Sequence, residues 1–150
     1  SDGSMGKEPD QPSGGCVSQA GRGMFHVKQM STGSAFEAEW GYSRAIVKGG
    51  WCFVSGVTSY DYATMTIPEG VVAQAHNCMA TVRRVLTDAG FEMADIVRVT
   101  YIVKDSALIT ALSPVLGAAF ADIRPAATLM VAGLIRPEIL FEIETTAFKG

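Results

Sequence analysis

The sequence predicts an α+β domain in which two helices pack on one face of a mixed β-sheet, in the order β-β-α-β-α-β-β. Three observations carry this expectation. Apolar residues recur at helical spacing from Glu69 to Ala89, and they alternate at strand spacing from Val97 to Val103. Two further apolar strand patterns, over 128–134 and 139–147, close the chain around a turn holding Pro137. At 150 residues the chain suits a single domain with one core. A hydrophobic fraction of 48% is high for that size, so some apolar surface should be hidden by self-association.

Residues 1–35 hold seven glycines, six serines and two prolines with almost no apolar periodicity, so they read as a disordered or added extension. The folded domain is expected over 36–150. Arg44 to Lys48 reads as a strand, Gly49-Gly50 as a two-residue hairpin turn, and Trp51 to Ser55 as the partner strand. A loop from Gly56 to Pro68 follows, with Tyr60-Asp61-Tyr62 near its middle. Val72, Ala75, Met79, Val82, Leu86 and Ala89 then mark the buried stripe of the first helix, which Gly90 stops. After the strand at 97–103, Ser106 is placed to cap a second helix over about 106–121, with Leu108, Leu112, Val115 and Ala119 on one face. Pro114 conflicts with that helix, because proline removes a backbone donor. On the strand at 128–134, Thr128, Met130 and Ala132 are assigned to the helix side, leaving Leu129, Val131 and Gly133 for the other. That second face is also apolar, and a further subunit is expected to cover it.

Composition narrows the function classes. A net charge of −3 gives no basic footprint, so nucleic acid is an unlikely partner. No apolar run has membrane-spanning length and no secretory leader is visible, which makes the cytoplasm the default location. Cys16, Cys52 and Cys78 lack metal-like spacing, and His26 and His76 are too few and too distant for a metal site. No metal or cofactor is expected.

Five segments in order carry a more specific signal. These are Gly41-Tyr42-Ser43-Arg44-Ala45, Phe53-Val54-Ser55-Gly56, the Gln74-bearing helix, and Asp95 to Val99 followed by Val103-Lys104-Asp105. The fifth combines Arg124-Pro125-Ala126-Ala127-Thr128 with Leu140 to Ala147. Together they resemble the RidA/YjgF family of reactive-intermediate deaminases, over about residues 40–148. The resemblance implies a chorismate-mutase-like fold, a homotrimer, and a small-molecule cleft between subunits. It also implies a role for Glu142 in positioning a hydrolytic water, a pocket wall at Tyr42, and ligand contacts near Ser55 and Thr128. The family's pocket asparagine falls at Ser113.

In the deaminases an arginine that grips the substrate carboxylate stands where this chain has Ala127. A bidentate guanidinium contact is not replaced by a methyl group. Arg124, three residues earlier, is the nearest substitute in sequence. The first expectation is therefore a homotrimer that binds a small carboxylate- or carbonyl-bearing metabolite. A working enamine or imine deaminase comes second, with Glu142 as its catalytic group. An endoribonuclease activity, a label some family members carry, and a non-catalytic interaction trimer rank below both.

Overall fold

The structure, a computed structural model, describes residues 27–61 and 63–150. Cys16, His26, Tyr62 and most of the stretch read as an extension lie outside those residues. The elements are β1 (Val27–Met30), α1 (Ala35–Trp40), β2 (Ala45–Lys48), β3 (Trp51–Val57), α2 (Val71–Asp88), β4 (Ile96–Val103), α3 (Ile109–Phe120), β5 (Ala126–Val131) and β6 (Phe141–Phe148). The strands form one mixed sheet in the order β1-β2-β3-β6-β4-β5, with every neighbour antiparallel except β4 and β5. α2 packs on α3, β3 and β6, so the two long helices share one face of the sheet as expected.

The core lies between that face and the helices. Cys52 and Val54 from β3, Val99 and Val103 from β4, and Phe141, Ile143 and Ala147 from β6 are all buried there. α2 contributes Ala75, Cys78, Met79, Val82 and Leu86. Its stripe begins at Val71 rather than Val72, which is exposed. The helix starts two residues later than expected, and Val71 lies one turn before Ala75 on the inward face. Gly49 sits at φ 57° in the β2–β3 hairpin, the left-handed conformation that two-residue turns require.

Four expectations change. A strand, β1, forms within the stretch read as an extension and pairs with β2, burying Met30. Just after it, the Ser34 hydroxyl caps α1 by accepting from the Phe36 N–H at 3.3 Å. Glycine and serine dominate this region's composition, and four strand residues are too few to show against it. The second helix is capped by Asp105 rather than Ser106, and opens with a 3₁₀ turn at Ser106–Leu108. Pro114 then lies inside α3 without ending it.

The remaining two changes concern strand phase. β4 carries an irregularity between Ile96 and Arg98 that turns Val97 outward, so the buried series is Ile96, Val99, Tyr101 and Val103. β5 is shorter than expected and its faces are exchanged. Parallel pairing sets Leu129 beside Tyr101 and Thr128 beside Thr100, so Leu129 faces the helices while Thr128 and Met130 face away. A shift of one residue exchanges every side chain on a strand, and Ala-Ala-Thr-Leu-Met-Val is compatible with either phase. Among the described residues no helix is long and apolar enough to cross a membrane.

Candidate functional site

The site is built around an irregularity between β3 and β6. Pairing runs regularly from Trp51–Phe148 to Val54–Thr145, then resumes at Val57–Ile143, so that Ser55 and Gly56 are carried through a bulge. Such bulges re-aim side chains at the edge of a ladder. Glu142 leaves β6 on the face away from the helices, and its carboxyl lies directly over Gly56. A Cβ at position 56 would overlap that carboxyl, so only glycine leaves room for it.

Arg44 approaches the same place from the start of β2. Its backbone N–H donates to the Met30 carbonyl at 2.8 Å, and its carbonyl accepts from the Ser55 N–H at 3.0 Å, which anchors it between β1 and β3. The side chain is only 5% exposed. One guanidinium nitrogen donates to the Gly56 carbonyl at 2.7 Å and to the Ser55 carbonyl at 3.5 Å, and the other donates to the Tyr42 hydroxyl at 3.5 Å. The guanidinium carbon also lies 5.7 Å from the centre of the Tyr42 ring, within range of a cation–π contact. The Ser55 hydroxyl donates to the Ser43 carbonyl at 2.6 Å, so its proton is already committed to the scaffold.

These groups open onto a cavity of about 700 Å³, whose lining includes Tyr42, Arg44, Ser55, Gly56, Glu142 and Glu144. Phe36, Glu39 and Trp40 from α1, Thr58, Tyr60 and Met65 from the loop after β3, and Ile135, Arg136 and Ile139 from the β5–β6 connection complete it. Gln74 fixes this last wall. Its amide nitrogen donates to the Pro68 and Glu138 carbonyls at 3.1 and 2.9 Å, while its oxygen accepts from the Leu140 N–H at 2.9 Å. At the rim the Arg136 guanidinium lies 5.9 Å from the Phe36 ring centre and 5.8 Å from that of Tyr60, and the Tyr60 hydroxyl donates to Glu138.

Burial pushes the Glu142 carboxyl above the ordinary glutamate range; the charge of Arg44 opposes this, and that of Glu144 adds to it. A carboxyl in that setting exchanges a proton nearer neutrality than a solvated one, which suits acid–base work. The cysteines do not compete for this role. Burial raises the Cys52 thiol to about 11 and the Cys78 thiol to about 12, leaving both protonated and unreactive near neutral pH. Cys78 donates its S–H to the Val57 carbonyl. No cluster of three metal-ligating side chains occurs among the described residues, and His76 is exposed on α2.

Of the residues singled out in sequence, Tyr42, Ser55 and Glu142 meet in the cavity, with Glu144 at its border. Thr128 and Arg124 do not line it within one chain. Thr128 shares the Glu142 face of the sheet, but lies on β5, two strands from β6. Arg124 is exposed just after α3, at φ 49°, with its N–H donating to the Phe120 carbonyl at 2.9 Å. Ser113 lines a separate groove with Tyr101, Leu112 and Leu129, on the helix side of the sheet. Arg44 was missed. In sequence it shows only as a charged residue opening an apolar strand, within the Gly41 to Ala45 segment but with no role assigned, and the strand β1 that anchors it has no clear pattern.

Comparisons with known proteins agree with this architecture. The family model described as Endoribonuclease L-PSP matches residues 32–149. A RutC family protein of Pyrococcus horikoshii is 28% identical over 109 residues, spanning 72% of this chain and 86% of that protein. A crystal structure from Mycobacterium tuberculosis, of a member of the YjgF/YER057c/UK114 family, superposes with a TM-score of 0.74 at 32% identity. It covers 82% of this chain and 99% of that one. RidA from an Antarctic Psychrobacter superposes with a TM-score of 0.67 at 25% identity, covering 72% and 88%.

Proposed function

Because the chain belongs to the Endoribonuclease L-PSP family, the RidA/YjgF proteins, we propose that it binds a small carboxylate- or carbonyl-bearing metabolite in clefts completed by further copies of itself, as a homotrimer. The cavity over Glu142 carries this reading. Its volume of about 700 Å³ falls in the range of small-molecule sites, and it combines an apolar wall with a few convergent polar groups.

The two faces of the sheet support the part given to further copies. Glu142 opens on one face, whereas the groove holding Ser113 and Leu129 opens on the other. Within one chain the two cannot act on the same ligand; a neighbouring copy can present its groove or its β5 edge, with Thr128 and Arg124, to the cavity. The reading is tested by following backbone amide signals during titration with 2-oxobutanoate. Signals of Ser55, Gly56 and Glu142 should shift together and saturate. If none of them moves at millimolar ligand, the cavity is not the binding site.

A second reading, hydrolysis of 2-imino acids, is favoured by the raised Glu142 carboxyl. Glu142 as carboxylate would take a proton from water as the water oxygen bonds to the C=N carbon, and the imine nitrogen would gain a proton. The resulting carbinolamine would collapse to the keto acid as its O–H proton passes to nitrogen, the C=O bond forms, the C–N bond breaks and ammonia leaves. Faster ammonia release from freshly generated 2-iminopropionate, lost in Glu142→Gln, would support it. Ammonia release at the rate of buffer alone would remove it.

A further inference from the structure

Within the site just proposed, Arg44 differs from every other cation near the cavity. Arg136 lies at the rim beside Phe36 and Tyr60, and Arg124 is exposed beyond α3. Among the described residues, Arg44 alone of the cations combines near-complete burial with a place on the cavity wall. A guanidinium carries five N–H donors. The bonds to Gly56, Ser55 and Tyr42 occupy one terminal nitrogen and one N–H of the other. The Nε–H and the second N–H of that other nitrogen have no hydrogen-bond acceptor among the described residues. Two N–H donors are thus left on a group whose planar fork suits the oxygens of a carboxylate.

Glu142 does not neutralise this cation by contact. It acts on Arg44 through space, without a hydrogen bond between them, and its own carboxyl is shifted towards the neutral form. A buried guanidinium with donors to spare and no carboxylate bound to it calls for an anion. Beyond it, beside the polar Glu39, Thr58 and Arg136, three apolar side chains of the lining are exposed within one chain: Trp40 at 62%, Ile135 at 66% and Met65 at 47%. Large apolar side chains grouped at the mouth of a polar-floored cavity suit a ligand with an apolar body.

We propose that Arg44 is the anion anchor of this cavity and that its ligand is a monocarboxylate with an apolar body, laid against Trp40, Met65 and Ile135. The proposal rests on the cavity being a ligand site at all. Arg44 thereby does from the start of β2 what Ala127, on the other face of β5, cannot.

The test uses the full chain and two probes of the same shape, 4-methyl-2-oxopentanoate and its neutral primary amide, with dissociation constants measured by ligand-observed NMR near neutral pH. Wild type should bind the acid about ten- to hundredfold more tightly than the amide, the factor that a charge-assisted hydrogen-bonded contact supplies. Arg44→Gln should abolish that preference while leaving amide binding within about twofold, and Arg44→Lys, which keeps charge but loses the fork, should keep only part of it. Pyruvate, with the same head and no apolar body, should bind about tenfold or more weakly than the branched acid. Equal binding of acid and amide by wild type overturns the anchor, and that result needs no variant to fold. Equal loss of both probes in a folded Arg44→Gln protein also overturns it, because the residue would then be structural. If wild type binds neither probe, the cavity reading fails, and the anchor fails with it.

Discussion

Gly56 and Glu142 are a matched pair, and the chemistry of the site rests on their contact. Any side chain at 56 would displace the Glu142 carboxyl. Glu142 is a flexible side chain, so we expect Gly56→Ala to cost only about 1–2 kcal/mol in denaturant unfolding, while ligand binding falls much more steeply. A loss of stability without loss of binding would separate the pair. Glu142 also sets a pH dependence. Its folded carboxyl is raised above the ordinary value of 4.5, so the folded state holds the proton more tightly than the unfolded one. The contribution is fully present below 4.5 and is lost as pH rises through the raised value. Glu142→Gln should therefore unfold at a higher temperature than wild type near neutral pH, with the difference shrinking towards pH 4; an equal or lower melting temperature at neutrality would contradict the shift. At this scale the sequence pointed to Tyr42, Ser55 and Glu142 through local segments that each resemble a family motif. It did not point to Arg44, whose burial depends on a strand from a distant, weakly patterned segment.

At the scale of elements, long periodic segments were legible and phase was not. α2 declares itself through its apolar repeat, but its most consequential residue is polar. Gln74 is 2% exposed and satisfies three backbone groups of the loops that wall the cavity. Gln74→Leu strands the Leu140 N–H and two carbonyls, at a cost of about 3 kcal/mol in chemical unfolding; a change below about 1 kcal/mol would mean that water replaces these bonds. α3 was legible despite Pro114, because its ends are specified by Asp105 and by the turn at Phe120. Pro114 is exposed on that helix, and Pro114→Ala should stabilise the protein by about 1 kcal/mol, read as a rise in melting temperature. The facing of β5 was not legible, since both of its faces are apolar and only the pairing with β4 chooses between them. The outward turn of Val97 has the same origin, a ladder irregularity that no local pattern announces.

At the scale of the molecule, the face of the sheet away from the helices is the unfinished part. Trp51, Phe53 and Phe148 cluster on it, with the Trp51 ring centre 4.6 Å from that of Phe148 and 6.1 Å from that of Phe53, and all three are exposed. An aromatic cluster beside the uncovered strands of β4 and β5 supports association of copies through this face. Light scattering at micromolar concentration should report three times the chain mass of 15.9 kDa, and Phe53→Lys should lower it; a single-chain mass for wild type would remove the trimer. The hydrophobic fraction already led to the expectation of an oligomer joined through this face, although on β5 the residues that face away are Thr128 and Met130 rather than Leu129 and Val131. The central claim is that Glu142 sits in a ligand cavity with a carboxyl tuned by its burial. Carbon-13 NMR of the glutamate carboxyls, followed through a pH titration with and without 4-methyl-2-oxopentanoate, tests it most directly. One resonance, absent in Glu142→Gln, should titrate above 4.5 and shift when the ligand is added. If the Glu142 signal titrates as a solvated carboxyl and ignores the ligand, the account is contradicted.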